Sequence, residues 1–342
     1  MEKIPTVQKA AVLQDPGPNA KVVIRNDVPV PTPGPHEVLV RISTTGICGS
    51  ETRALRGWGA YDPIVGHEGV GIVVRLGPSA PPDLLGRKVG VKWLYSACGT
   101  CSACVRRHHN NCPKQINTGK QRPGTLQQFA VADSRYLTVI PEGLDDAEVA
   151  PLLCAGLTMM GAVSKLQGEL ERGNWVVIQG PRIAARMRGL RVIAVDKGAH
   201  EDFCRGLGAE VFVDYLTEDV ERVVTEVTGE GAHAVLVVPE SEDAYRIAPK
   251  LVRAMGTIVC VGLPHNEFLI PVSVTMCAVK ALNIKGAMVG TEEEMAELLG
   301  EAAKGRVRAC VERFGLSHTH EIIQKLSRGE VFGRAVVTSF DA

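Results

Sequence analysis

Four cysteines within fifteen residues constrain this 342-residue chain more than any other feature. Cys98, Cys101, Cys104 and Cys112 stand at the spacing C-x2-C-x2-C-x7-C, and they are four of ten cysteines in all. A tetrahedral zinc needs four soft donors about 2.3 Å from one point, and thiolates supply them without redox chemistry. Two-residue gaps let a tight turn aim neighbouring sulfurs at one centre, and Gly99 eases that turn. The spacing predicts a closed structural zinc site. The alternatives are disulfides or a ferredoxin-type iron–sulfur cluster. Disulfides need an oxidising compartment, and nothing in the sequence implies one. The bacterial cluster run places its fourth cysteine nearer and follows it with proline. Pro113 is present, but the seven-residue gap does not fit.

The length suggests two domains. Hydrophobic residues at 45% and charged residues at 22% describe an ordinary globular chain. Lys+Arg and Asp+Glu both number 38, which argues against a dedicated nucleic-acid or polyanion binder. Residues 1–8 lack the apolar core of a signal peptide, and no apolar run approaches the length of a membrane span. The expectation is a cytoplasmic protein with reduced thiols. Aromatic residues make up only 4%, so Trp58, Trp93 and Trp175 stand out as pocket or core anchors.

The first third is rich in Gly, Pro and short β-branched runs. Residues 21–24, 37–42, 70–75 and 88–93 read as strands of a compact, irregular β domain. Cys48, His67 and Cys154 lie in glycine-flanked apolar segments here. A lone cysteine in such a run usually serves as a small buried hydrophobe, and a lone histidine beside Glu68 as a satisfied core or surface residue. Together the three make two thiolates and one imidazole, the ligand set of an open catalytic zinc. Their separation in sequence leaves both readings open.

From about Leu157 the texture changes. Apolar β-branched runs at 175–179, 190–195, 210–213, 234–238 and 257–261 alternate with helical patterns at 218–226 and 243–253. Strands alternating with helices imply a parallel sheet covered on both faces. Asp196 ends one of these runs, where a carboxylate commonly binds adenosine ribose hydroxyls. The alternative is a surface Asp capping the next helix. Residues 292–304 and 322–326 are helical by pattern, and 335–338 reads as a strand that returns to the first domain.

These residues together carry a family likeness. The anchors are Gly66-His67-Glu68-Gly69-Val70-Gly71, the four-cysteine lobe, Gly90-Val91-Lys92-Trp93-Leu94, the run from Ala150 through Cys154 to Gly156, the run from Val259 to Pro264, and Gly333-Arg334. The chain resembles the zinc-dependent medium-chain alcohol dehydrogenases, in particular their microbial, usually tetrameric branch. The resemblance implies an α/β fold: a GroES-like β-rich catalytic domain over 1–157 and 296–342, and a Rossmann-type doubly wound parallel sheet over 158–295. It implies two zinc ions per chain and NAD. Cys48, His67 and Cys154 would hold the catalytic zinc with Glu68 beside it. Cys98, Cys101, Cys104 and Cys112 would hold the structural one. Ser50 would hydrogen-bond the substrate oxygen, Glu51 would orient His67, and Trp93 would line the substrate pocket. Gly180, Asp196, Val261, Leu263 and Arg334 would contact the cofactor. The substrate would be a small alcohol or aldehyde and the assembly a homo-oligomer, dimer or tetramer.

The sequence departs from the family pattern in four places. Glu51 stands where the family usually has Asp, so the carboxylate orienting the zinc histidine is one methylene longer. Arg53 occupies the position of the proton-relay histidine, and arginine stays charged. The stretch between Gly57 and Gly66 is a few residues shorter than in relatives. After Gly180 the G-x-G-x-x-G turn and its helix are shortened: the chain runs from Pro181 to Leu190, with Arg182 and Arg186 between. Glycine N–H groups at a helix N-terminus normally hold the pyrophosphate, and Pro181 has no N–H. The alternative to an active alcohol dehydrogenase is therefore a zinc-binding pseudoenzyme or truncated gene product with lost cofactor binding.

Overall fold

A computed structural model describes residues 3–180, 189–265 and 267–340. The shortened crossover, Pro181, Arg182 and Arg186 included, lies outside the described residues. The chain divides into two compact units, residues 1–157 with 291–342, and residues 158–290.

The first unit is built on an irregular seven-stranded sheet. Its central strand, Glu37–Gly46, pairs antiparallel with Gly69–Leu76 on one edge, and with Phe129–Asp133 and Arg334–Ser339 on the other. The alternation of Val38, Val40 and Ile42 explains this placement, since all three are buried in one core with Val73, Val89 and Leu126. The C-terminal strand does pair with the first unit, through Val336 on Gly46. The single strand expected over 88–93 breaks after Val91. Lys92 there buries its ammonium against the Glu292 carboxylate, with only 2% of its side chain exposed. Trp93 then turns so that its carbonyl accepts from the Thr118 N–H. The chain continues as a two-stranded ribbon, Leu94–Ser96 against Ile116–Asn117. The four-cysteine lobe sits at the end of that ribbon.

Among its described residues the second unit has six strands, β1 (Trp175–Gln179), β2 (Arg191–Asp196), β3 (Val211–Asp214), β4 (Ala232–Val237), β5 (Val252–Cys260) and β6 (Asn283–Gly286). All pair in parallel, in the order β3-β2-β1-β4-β5-β6. This is the doubly wound order, with its switch point between β1 and β4. The near-continuous apolar runs follow from burial on both faces. Val177, Ile193, Val195 and Val235 enter one core, and Val176, Ile178, Val192 and Leu236 the other. The edge strand β6 was not expected from the sequence. Its Asn-Ile-Lys-Gly composition has one apolar residue, and three of its four residues are exposed.

One helical stretch, Asp146–Ser164, is long and apolar enough to cross a membrane by length and composition, contrary to the sequence expectation. It is the core element its composition needs: 72% of the apolar window is buried inside the protein.

Candidate active site and metal centres

The lobe brings its four sulfurs together locally. Cys101 leads into a single helical turn, Ser102–Val105, and its carbonyl accepts from the Val105 N–H at 3.0 Å. Gly99 adopts φ +74°, the left-handed turn anticipated for it. The four Sγ atoms all lie within 4.8 Å of one another. Vertices about 2.3 Å from a tetrahedral centre are separated by roughly 3.8 Å. The Sγ of Cys98 lies 3.6 Å from that of Cys112 and 4.0 Å from that of Cys104, so the set fits zinc. Backbone N–H groups of Cys98 and Lys114 point at the Cys112 sulfur at 3.5 and 3.3 Å, as they do toward thiolates. Backbone N–H groups of Thr100 and Cys101 draw the Cys98 thiol down to about 6. Burial pushes the Cys104 thiol up to about 12.

The second cluster is assembled from far apart. Cys48 caps the helix Gly49–Leu55, His67 precedes the strand Gly69–Leu76, and Cys154 lies in a π-helical turn, Leu152–Gly156. Such turns recur at functional sites. Cys48 Sγ and Cys154 Sγ are 3.7 Å apart, the expected tetrahedral edge, and His67 Nε2 is 3.2 Å from Cys154 Sγ. A Glu68 oxygen joins them, all within 4.8 Å of one another. Hydrogen bonding to Cys154, with His67 and Arg334 adjacent, holds Cys48 well below the ordinary thiol range, while hydrogen bonding to Cys48 and burial push Cys154 well above it.

Glu51 does two jobs from a position 3% exposed. Its Oε2 accepts from the Cys48 N–H at 2.6 Å, closing a capping box, while its Oε1 lies 3.1 Å from His67 Nδ1. The extra methylene is taken up by that cap. Burial opposes protonation of His67, but Glu51 and Cys48 outweigh it and raise the imidazole well above its usual range. Ser50 Oγ also reaches Glu51 Oε1, at 3.3 Å. Trp93 stands edge-on to the His67 ring, with centroids 5.0 Å apart. The Arg53 guanidinium, at the relay position, faces the Trp58 ring at 5.7 Å, and Arg56 covers the same ring at 4.9 Å.

At the carboxyl end of the second unit's sheet, Gly180 follows β1 with φ +97°, and its N–H donates to Val195 O at 2.9 Å. Asp196, last in β2, is 8% exposed. Its Oδ1 accepts from the Lys197 N–H at 2.8 Å and lies 3.1 Å from His200 Nδ1. Its Oδ2 is buried without a hydrogen-bond partner among the described residues. Val261 follows β5 with its N–H on Val237 O at 3.1 Å. Leu263 is 56% exposed.

Two families match the chain: "Alcohol dehydrogenase GroES-like domain" over residues 34–142 and "Zinc-binding dehydrogenase" over residues 182–304. Alcohol dehydrogenase 2 of Emericella nidulans is 36% identical over 369 aligned positions, covering 98% of both chains. The chain belongs to the zinc-dependent medium-chain alcohol dehydrogenases. An alcohol dehydrogenase of Geobacillus stearothermophilus is 37% identical, over 88% of this chain and 91% of that one. Among solved structures, the Aeropyrum pernix alcohol dehydrogenase superposes with a TM-score of 0.86 at 27% identity, covering 96% and 99% of the two chains. Acetophenone reductase from Geotrichum candidum, solved with NAD, superposes with a TM-score of 0.86 at 25% identity, covering 99% of each.

Membership makes this alcohol dehydrogenase an enzyme that interconverts alcohols with aldehydes or ketones, using zinc and NAD. Its first unit is the GroES-like fold and its second the Rossmann-type fold. Two site features were not legible in the sequence. One is the double use of Glu51. The other is the partner of Arg334: its guanidinium pairs with the Glu68 carboxylate and donates to Ile47 O at 3.3 Å. Burial raises Glu68 to about 7 against the pull of Arg334, and Oε2 is left without a hydrogen-bond partner among the described residues. The available signal was Gly46. A Cβ there would lie 1.9 Å from Glu68 Oε2, so the glycine makes room for the carboxylate.

Proposed function

We propose that the chain oxidises small alcohols, and reduces the corresponding carbonyl compounds, at the cluster of Cys48, His67 and Cys154. The observation that carries this reading is that residues up to 106 positions apart place two sulfurs and an imidazole nitrogen at tetrahedral-edge distances. These three would hold the catalytic zinc, which when bound supplies a Lewis acid that lowers the pKa of an alcohol oxygen. The lobe cysteines would hold a second, structural zinc.

The chain's own residues do the rest. Ser50 hydrogen-bonds the substrate oxygen and relays its proton, accepting it as its own hydroxyl proton passes toward Glu51 Oε1 at 3.3 Å. Glu51 fixes the His67 tautomer with Nδ1 protonated, so that Nε2 is free to ligate. Arg334 balances Glu68 beside the ligand set. Trp93 closes one side of the pocket. Trp58 is covered by two guanidinium groups instead, which favours Trp93 as the aromatic wall. Gly180, Val261 and Leu263 contact the dinucleotide. The unpartnered Oδ2 of Asp196 accepts from an adenosine ribose hydroxyl and repels a 2′-phosphate, giving preference for NAD over NADP. In the same reading Arg334 would also reach the cofactor pyrophosphate.

Similarity to alcohol dehydrogenases over nearly the whole chain supports this reading over that of a pseudoenzyme. We further infer a cytoplasmic homo-oligomer, dimer or tetramer. Supporting it are the exposed edge strand β6 and exposed apolar side chains nearby in sequence, Leu269 at 82%, Val274 at 86% and Val279 at 79%. Metal analysis together with NAD-dependent oxidation of short-chain alcohols tests the function. Two zinc ions and NADH formation are expected. Two zinc ions with no measurable NADH affinity would establish the pseudoenzyme.

A further inference from the structure

The ribbon that carries the four-cysteine lobe also lies against the loop that carries His67. Just before one strand, Trp93 sets its ring edge-on to the His67 imidazole at 5.0 Å, and its carbonyl accepts from the Thr118 N–H at 2.9 Å. On the other, the chain leaves Cys112, pairs as Ile116–Asn117 and runs directly under residues 64–66. Three backbone hydrogen bonds lace it there: Gly124 N–H to Ile64 O, Thr125 N–H to Gly66 O at 3.0 Å, and Leu126 N–H to Val65 O at 3.1 Å. The approach is too close for side chains. A Cβ on Gly124 would lie 2.3 Å from Val65 O and 2.4 Å from Gly66 O, and one on Gly119 would lie 2.9 Å from Gly66 O. The Thr125 hydroxyl, 2.6 Å from that of Thr45, ties the same segment to the central strand.

We propose that Trp93, Gly119 and Gly124 are positioning residues for His67, so that the lobe's ribbon fixes the geometry of the catalytic ligand set as well as folding itself. A histidine reached by a glycine-flanked loop has its ring plane set by few contacts. Glu51 fixes one nitrogen and Trp93 the ring edge, while the packed backbone at 119–126 fixes the height of the loop. None of these contacts involves the lobe's sulfurs. The proposal rests on the catalytic ligand set proposed above.

The test uses the zinc-loaded enzyme. Release of zinc to a chromophoric chelator is followed in the parent, Trp93→Ala and Gly124→Ala, with melting temperature measured alongside. Cys48→Ala, keeping only the lobe's ion, identifies the two release phases. Both positioning variants should lose catalytic-site zinc at least about tenfold faster, within the 10–100-fold range of outer-shell changes, while lobe zinc leaves at the parental rate. Trp93 is partly exposed, and its truncation leaves the backbone intact, so Trp93→Ala decides if Gly124→Ala does not fold. Parental release from both sites in Trp93→Ala overturns the proposal, as does equal acceleration at both, which marks general loosening. Retention of two zinc ions by Cys48→Ala would instead overturn the ligand assignment.

Discussion

The two cysteine-rich clusters of the first unit solve the same geometric problem in opposite ways. The lobe draws four like ligands from fifteen consecutive residues. Its order is local, and two of its sulfurs belong to residues only partly buried. The second cluster draws unlike candidate ligands from a helix cap, a loop and a π-helical turn, and surrounds them with charge: the buried Glu51 and Glu68 and the partly exposed Arg334. In the proposed assignment, a metal in the lobe would take the place of a core that the short ribbon cannot build. At the second cluster the protein's core would hold the proposed ligands, which would leave charge, and a Glu68 oxygen unpartnered among the described residues, for chemistry. Stability should therefore depend on the first cluster, and activity on the second.

The largest effects test that division. Structural zinc supplies roughly 10–16 kcal/mol to isolated zinc fingers. Even a third of that, at about 2–4 °C per kcal/mol for a domain of this size, would lower the melting temperature of Cys112→Ala by about 10 °C. Cys48→Ala should melt closer to the parent but lose turnover by about a thousandfold, since metal catalysis contributes several kcal/mol and each 1.36 kcal/mol is a factor of ten. Scanning calorimetry and steady-state kinetics on the two variants read both. Reversed rankings would dissolve the distinction.

The next effect separates buried charge from ligation. Glu68 is fully buried and Arg334 keeps 13% of its side chain exposed. Removing one member of a buried pair strands the other at a cost of about 3–5 kcal/mol. Arg334→Leu should therefore lower the urea midpoint strongly, whereas the double variant with Glu68→Gln should recover much of the loss. A double variant no more stable than Arg334→Leu would mean that the guanidinium acts through Ile47 O and not through the carboxylate.

How far each cluster was legible in the sequence follows from the same contrast. The lobe could be read from spacing alone, because its geometry is local. The ligand set at Cys48, His67 and Cys154 could not. Spacing left each residue with a bland alternative, and only resemblance assembled them. In the second unit the runs at 175–179, 190–195 and 234–238 announced their strands, because burial on both faces makes a strand apolar throughout. The strand β6 was missed because an exposed edge lacks that pressure. The helix expected over 243–253 ends at Leu251, where Val252 begins β5. A β-branched residue on the periodic face does not distinguish a last helical turn from a first strand residue.

A smaller effect probes how the active cluster is tuned. Glu51→Gln keeps the shape and gives up the carboxylate that faces His67 Nδ1. Outer-shell changes of this kind cost 10–100-fold in metal affinity or activity. The expected result is a catalytic-site zinc affinity about tenfold weaker, with lobe zinc unchanged, measured by competition with a chelator. Glu51→Asp restores the charge but is one methylene shorter than a side chain that bridges the Cys48 N–H and His67. It should lie between the parent and Glu51→Gln. An unchanged affinity in Glu51→Gln would reduce Glu51 to a helix cap.

The smallest effect is expected at the lobe's surface, and it sharpens the comparison from the other side. Arg107, in the lobe, pairs with Glu293 Oε1 at 2.9 Å, but the side chains are 77% and 54% exposed. Exposed pairs of this kind contribute about 0–1 kcal/mol, because solvent screens them and two long side chains lose freedom. Cys112, in contrast, is fully buried and Cys104 is 4% exposed. If the lobe owes its order to thiolates gathered at one centre, Arg107→Ala should shift the melting temperature by less than about 3 °C, and high salt should leave the parent almost unmoved. A shift near that of Cys112→Ala would mean that the lobe is held onto the first unit by its ion pair. The ranking of ligation above surface charge would then be wrong for this cluster.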